Sequence, residues 1–167
     1  NSLLNLLKQC KKNKINNFIF SSSCTVYGNI EKLPVNENTP LQNPESTYGF
    51  TKVAGERILE DYCRSSPSFR ATVLRYFNPV GAHVSGLLGE NPLNKPNNLV
   101  PIITQTAIGI LKKMDVYGND YKTRDGTCIR DYIHVSDIAN AHVLALKYLM
   151  KHGNGPNYNI FNLFFIT

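Results

Sequence analysis

The run Phe18-Ile19-Phe20-Ser21-Ser22-Ser23-Cys24-Thr25-Val26-Tyr27-Gly28, followed downstream by Tyr48-Gly49-Phe50-Thr51-Lys52, decides how the rest of the chain reads. It opens on a continuous apolar segment of the kind that forms a strand covered on both faces. The serines that follow place hydroxyl groups at the strand's end, where open parallel sheets bind their ligands. Further on, Tyr48 and Lys52 stand four residues apart, so a helix puts both on one face. Serine hydroxyls both donate and accept hydrogen bonds, and an ammonium near a phenol favours its ionised form. The stretch is therefore a candidate proton-handling set. Tyrosine and lysine four residues apart are common in helices, and an ordinary surface pair is the simpler reading until context is added. For Ser21 and Ser22 the plain reading is satisfaction of the loop backbone, and Ser23 is the candidate reacting hydroxyl.

Working outward, Ser2 to Lys12 reads as a helix with Leu3, Leu4 and Leu7 on its apolar stripe. Asn17 to Ser21 reads as a strand, Thr47 to Arg64 as a helix and Ala71 to Tyr76 as a second strand. That α-β-α-β order needs crossover connections, so the fold class is α/β with a parallel sheet covered by helices. Pro79 to Asn98, containing Gly81, Gly86 and Gly89, is a loop long enough to be functional or a boundary. Leu99 to Lys113 reads as a helix with Pro101 in its first turn, and Asp115 to Tyr117 as a short strand. Gly118 to Thr127 is dense in turn formers. Ser136 is a suitable N-cap for a helix to Lys151, with Ile138, Ala141, Val143, Leu144, Ala145 and Tyr148 as its buried face. Gly153 and Gly155 end that helix, and a strand runs from Tyr158 to Thr167. There is no internal repeat.

Composition narrows the classes. The 167 residues are 42% hydrophobic, which is globular rather than disordered. The longest apolar stretch, Leu99 to Met114, is broken by Pro101, Gln105 and two lysines, so no membrane span is expected. The net charge of +6 collects at Lys8, Lys11, Lys12 and Lys14, without interleaved aromatics, and reads as a solvated helix end rather than a nucleic-acid surface. Cys10, Cys24, Cys63 and Cys128 show neither C-x-x-C spacing nor paired histidines, which points to free thiols in a reducing, cytoplasmic compartment and to no metal site. His83, His134, His142 and His152 read as structural or surface groups. The chain opens on Asn1 inside a helical pattern and ends on an uncapped apolar run, so it is expected to be a fragment of a longer protein.

Six ordered blocks carry a more specific signal: Ser21 to Gly28, Tyr48 to Lys52, Arg75-Tyr76-Phe77-Asn78-Pro79-Val80-Gly81-Ala82-His83, Pro96-Asn97-Asn98-Leu99, Tyr117-Gly118-Asn119-Asp120-Tyr121, and Asp125 to Val135. Together they resemble the UDP-glucose 4-epimerase family of extended short-chain dehydrogenase/reductases. The resemblance implies part of a Rossmann-type doubly wound parallel sheet with part of a smaller nucleotide-sugar-binding domain. Residues 1–80 would be the second half of the NAD-binding domain and 81–167 part of the substrate domain. Whether about 132–163 returns to the Rossmann sheet stays open.

The resemblance also implies roles. Tyr48 would be the catalytic acid and base, Lys52 would bind the nicotinamide ribose and favour the phenolate, and Ser23 would hold the sugar's 4-hydroxyl. Cofactor contacts fall to Ser21, Tyr48, Lys52, Tyr76 and Phe77. Substrate contacts fall to Ser23, Cys24, Thr25, Tyr76, Phe77, Asn78, Asn97, Asn98, Leu99 and Arg130, with Asp115, Val116 and Tyr117 beside the uridine. Structural alternatives remain: Asn97-Asn98 as a helix cap, and Arg130 with Asp131 as an ion pair. The implied reaction interconverts UDP-glucose and UDP-galactose through transient NAD-dependent oxidation at C4, in a homodimeric full-length protein of galactose metabolism. Neither nucleic acid nor membrane enters as a partner.

Departures qualify the match. No G-x-x-G-x-x-G or G-x-G-x-x-G turn occurs in the 167 residues. Cys24 stands where the family commonly has alanine, and Phe164-Phe165-Ile166-Thr167 replaces a glycine-containing turn. The polypeptide alone is therefore expected to bind NAD poorly and to be inactive. Two alternatives stay open: another nucleotide-sugar epimerase or dehydratase, and a noncatalytic remnant that binds a nucleotide sugar or a partner chain.

Overall fold

The computed structural model describes residues 2–151 and 155–164; His152, Gly153 and the Phe165-Ile166-Thr167 end of the expected last strand lie outside them. Helix α1, Ser2–Lys12, leads into strand β1, Asn17–Ser23, and a single 3-10 turn, Cys24–Tyr27. Helix α2, Thr47–Ser65, and strand β2, Arg70–Tyr76, follow. After β3, Asn78–Val80, come α3, Leu99–Ala107, then β4, Tyr132–His134, α4, Val135–Lys151, and β5, Tyr158–Leu163.

The three longer strands form one parallel sheet in the order β1-β2-β5, with Ser21 opposite Leu74, Ser23 opposite Tyr76 and Tyr76 opposite Leu163. The period-2 alternation of a strand sends its side chains to two different layers. Ala71 and Val73 join Leu59 and Cys63 of α2 and Leu7 and Cys10 of α1 in a core on one side. Helix α4 covers the other side of β1 and β2 and buries Ala145 and Leu149. A side chain the size of Leu59, fully buried, contributes roughly 1.5–3 kcal/mol.

Beneath α2 the core is polar. Arg75, 2% exposed, forms a two-pronged ion pair with Glu56, 4% exposed, at 2.6 and 3.0 Å. Ser22 donates to Glu56 at 2.5 Å, and Arg75 donates to Tyr27 Oη at 2.8 Å. Tyr27 in turn donates to Asn162 on β5 at 2.7 Å. Ser22 therefore joins a buried carboxylate instead of satisfying the loop backbone, because its position on β1 points it under α2.

Several sequence expectations are corrected. The helix expected to reach Lys113 stops at Ala107, where Ile108 leaves helical geometry and Gly109 takes a φ of 80°. Its last carbonyls are then closed by backbone N–H groups of Gly109 and Ile110, a turn that glycine adopts without strain. Asp115 to Tyr117 forms no strand: Val116 and Tyr117 are 71% and 85% exposed, and no described segment offers them a ladder. Asn78–Val80 instead pairs in parallel with Tyr132–His134. Ser136 is inside α4, whose first turn is capped by His134 Nδ1 accepting the Ser136 N–H at 3.2 Å. Val143 and Leu144, expected in the buried face, are exposed, because the buried stripe runs through Ala145 and Leu149. No helix among the described residues is long and apolar enough to cross a membrane.

Truncating one partner of the buried pair strands the other charge, which costs about 3–5 kcal/mol, whereas exposed pairs contribute about 0–1 kcal/mol. Glu56→Ala is therefore expected to lower the urea midpoint steeply, and Arg57→Ala, which removes an exposed bridge to Glu60, to leave it nearly unchanged.

Candidate active site

Helix α2 begins where Ser46 accepts the Gly49 N–H at 3.0 Å, an N-cap that fixes the first turn in which Tyr48 lies. Two glycines set how closely this helix approaches β1 and the turn after it. A Cβ on Gly49 would come to 3.2 Å from the Thr25 carbonyl, and one on Gly55 would run into the Phe20 ring at 2.6 Å. The consequence reaches the chemistry: one turn beyond Tyr48, the Lys52 ammonium donates to the Ser21 carbonyl at 2.9 Å. It also lies 5.2 Å from the centre of the Tyr48 ring and 5.4 Å from that of Phe20.

The serine run divides its work. Ser23 caps the 3-10 turn by accepting the Thr25 N–H at 3.3 Å, and its hydroxyl also lies within hydrogen-bond reach of the Cys24 thiol. Ser21 Oγ lies 2.8 Å from the Tyr76 hydroxyl, which is 2.6 Å from His142 Nε2. Ser21, like Ser22, thus bonds to a side chain rather than to the loop backbone. Burial pushes the Tyr76 hydroxyl above its ordinary pKa, the Ser21 bond pulls the other way, and the nearby Tyr48 adds to the rise. Tyr76 consequently stays protonated at neutral pH. Phe77 packs against the Val26-Tyr27-Val35 cluster and, at 5.0 Å between ring centres, against Phe164.

A second cleft, of about 310 Å³, brings together Asn78, Asn97, Asn98, Leu99 and Arg130. Asn98 stands at the N-cap of α3 but makes no side-chain cap; its amide donates to Glu90 at 2.8 Å. The first turn of α3, Leu99 to Pro101, lines the same cleft as Arg130, and a helix start beside a guanidinium is a pairing suited to an anion. Arg130 makes no ion pair with Asp131 among the described residues; Asp131 instead offers its carbonyl to the backbone and side-chain amides of Asn78 at 3.1 and 2.8 Å. This links β3 to β4 and carries Arg130 near the serine turn, where its charge is felt by Cys24. Asp115, Val116 and Tyr117 do not line this cleft; Asp115 pairs with Lys113 at 2.8 Å on an exposed segment. His142 is the residue sequence reading missed, since a lone histidine in a helix carries no spacing signal.

A parallel sheet with a helical Tyr-Lys pair at the carboxyl end of its first strand defines a Rossmann-type α/β protein of the short-chain dehydrogenase/reductase class. The chain belongs to the NAD dependent epimerase/dehydratase family, whose model matches residues 1–160. Among curated proteins it is 49% identical over 155 residues to the UDP-glucose 4-epimerase of Erwinia amylovora, covering 93% of this chain and 46% of that one. Among solved structures it is similar to UDP-glucose 4-epimerase from Bifidobacterium longum in complex with NAD+ and UDP, with a TM-score of 0.88 and 47% identity over 98% of this chain and 48% of that one. It is also similar to the Stenotrophomonas maltophila enzyme with bound NAD and formylated UDP-arabinopyranose, with a TM-score of 0.90 and 43% identity over 96% of this chain and 47% of that one. The chain thus spans about half the length of the relatives it matches.

Burial raises the Cys24 thiol above its ordinary pKa, outweighing the Ser23 hydrogen bond and the Arg130 charge that act to lower it. The Cys63 thiol is fully buried and pushed up to about 11. Only the thiolate alkylates, so iodoacetamide at pH 8 is expected to mark exposed Cys128 first, with labelling of Cys24 accelerating as pH rises above the ordinary thiol range. Peptide mapping by mass spectrometry reads the order.

Proposed function

We propose that this chain carries the catalytic half of a UDP-glucose 4-epimerase, interconverting UDP-glucose and UDP-galactose in the full-length protein. The observation that carries the reading is the tie of Lys52 to the Ser21 carbonyl with Tyr48 one helical turn away, at the carboxyl end of β1. The donor set fits the nicotinamide-ribose end of NAD. Lys52 spends one of its three donors on Ser21 and keeps two for ribose hydroxyls, and Tyr76 ends the neighbouring strand with Phe77 just beyond it. NAD, when bound, supplies a reversible hydride acceptor at C4 of the sugar.

The chain's own residues handle protons and position. Tyr48, as the phenolate that the Lys52 ammonium favours, takes the proton of the 4-hydroxyl, holds it as the neutral phenol and then returns it to the same oxygen. On substrate binding the Ser23 hydroxyl turns from Cys24 to that oxygen and orients it toward Tyr48. Thr25 and Cys24 flank the sugar, and Asn78 reaches it from β3. Arg130, Asn97, Asn98 and Leu99 receive the diphosphate at the α3 N-terminus, where a guanidinium and backbone N–H groups both favour anions. Asp115, Val116 and Tyr117 serve the uridine. The proposal extends to a homodimer working in the cytoplasm, and the four free cysteines suit a reducing compartment.

General acid-base catalysis contributes about 10²–10⁴-fold, so Tyr48→Phe in the full-length protein is expected to lower kcat for UDP-galactose conversion at least about a hundredfold. A variant at wild-type rate overturns the assignment, and formation of a product other than UDP-glucose favours a different nucleotide-sugar enzyme. The glycine turn that holds the NAD pyrophosphate does not occur in these 167 residues. The isolated chain is accordingly expected to be inactive and to show no saturable NAD binding by calorimetry at micromolar concentrations; stoichiometric NAD on the purified chain contradicts this.

A further inference from the structure

We propose that His142 is a positioning residue for the proton-handling pair, acting through a hydrogen-bond chain that spans four elements. The proposal deepens the epimerase reading and rests on it. His142 projects from α4 onto the sheet face opposite α2, half-buried, with its ring 5.7 Å from that of Tyr76 and tilted 52° to it. Its Nδ1 lies 2.8 Å from the Ile138 carbonyl one turn back. A carbonyl only accepts, so Nδ1 carries the proton, and in the neutral imidazole Nε2 is left as an acceptor.

Nε2 is 2.6 Å from the Tyr76 hydroxyl, which has a single proton to give. That proton goes to His142. Of the two directions open to the Tyr76–Ser21 hydroxyl pair, 2.8 Å apart, the one that remains has Ser21 donating to Tyr76. The Ser21 carbonyl in turn accepts the Lys52 ammonium. The chain therefore runs from Ile138 through His142 on α4, Tyr76 on β2 and Ser21 on β1 to Lys52 on α2. The His142–Tyr76–Ser21 links are thus oriented from the α4 end, and the Lys52 ammonium joins them at the Ser21 carbonyl with one of its three donors. One chemical consequence follows for ligands. With its proton committed to Tyr76, Ser21 Oγ can only accept from a group docking at this end of the sheet, and that group must be a donor.

The test is made in the full-length gene product, with one arm that needs no activity. With 15N-labelled histidine, His142 is expected to show a protonated Nδ1 and an unprotonated Nε2, and Tyr76→Phe to shift the Nε2 resonance while Nδ1 keeps its proton. A protonated Nε2 at neutral pH with a bare Nδ1, or an Nε2 resonance indifferent to Tyr76→Phe, overturns the array. In the kinetic arm, His142→Phe is expected to lower kcat for UDP-galactose about tenfold, with KM within about twofold. His142→Gln, whose side-chain carbonyl can accept from Tyr76, should recover most of that loss. Equal damage from both substitutions, or a His142→Phe variant at wild-type kcat, overturns the positioning role. A wild-type protein inert toward UDP-galactose removes the epimerase reading and the positioning role with it, while the resonance arm still decides whether the array exists.

Discussion

The buried Glu56–Arg75 pair is the constraint on which the rest of this structure depends. A carboxylate and a guanidinium taken out of water must satisfy each other closely and fill their remaining hydrogen-bond capacity. Here Ser22 and Tyr27 supply those bonds. Only one placement of α2 over β1 and β2 meets all these demands, so rotation or sliding of the helix exposes an unpaired charge. Tyr48 and Lys52 lie on the same helix as Glu56, and the pair sets their position relative to the end of the sheet as firmly as any apolar contact.

The alternation of the strands explains why one short stretch can serve both structure and chemistry. Ser22 points beneath α2 and is spent on Glu56. Its neighbour Ser21 reaches Tyr76 by side chain and Lys52 by backbone. Ser23, at the last position of β1, turns the chain into a 3-10 helix. Three identical residues thus have three different partners, because a pleated strand changes face at each step and then ends. The same logic applies on β2, where Arg75 enters the polar core under α2 while Tyr76 meets α4 from the other side.

The segment beyond the sheet follows a looser physics. The short β3–β4 pair and the Asn78–Asp131 bonds bring the start of α3 and Arg130 to the same cleft across a long loop. Glu90, on that loop, holds the Asn98 amide and so shapes the α3 N-terminus without belonging to a regular element. This cleft is built from a helix start and one guanidinium, so its shape depends on where α3 begins more than on which residues compose that helix.

The elements of the sheet were legible in the amino-acid order because Phe18 to Phe20 and Ala71 to Leu74 are apolar runs and Thr47 to Ser65 has helical period; local pattern and burial agree there. The Tyr48–Lys52 pair was legible for the same reason, since helical spacing alone fixes their shared face. Asp115 to Tyr117 misled because an apolar triplet becomes a strand only if another segment offers a ladder, and that is a tertiary fact. The N-cap of α4 misled because His134, two residues upstream of the serine, reaches the N–H first. Which serine is buried and which histidine meets Tyr76 are properties of packed layers, decided when α2 and α4 close on opposite faces of the sheet. The sequence by itself determined the periodicities and the candidate chemistry; tertiary structure alone paired Glu56 with Arg75 and His142 with Tyr76, because those contacts join residues far apart in the chain and no local preference encodes them.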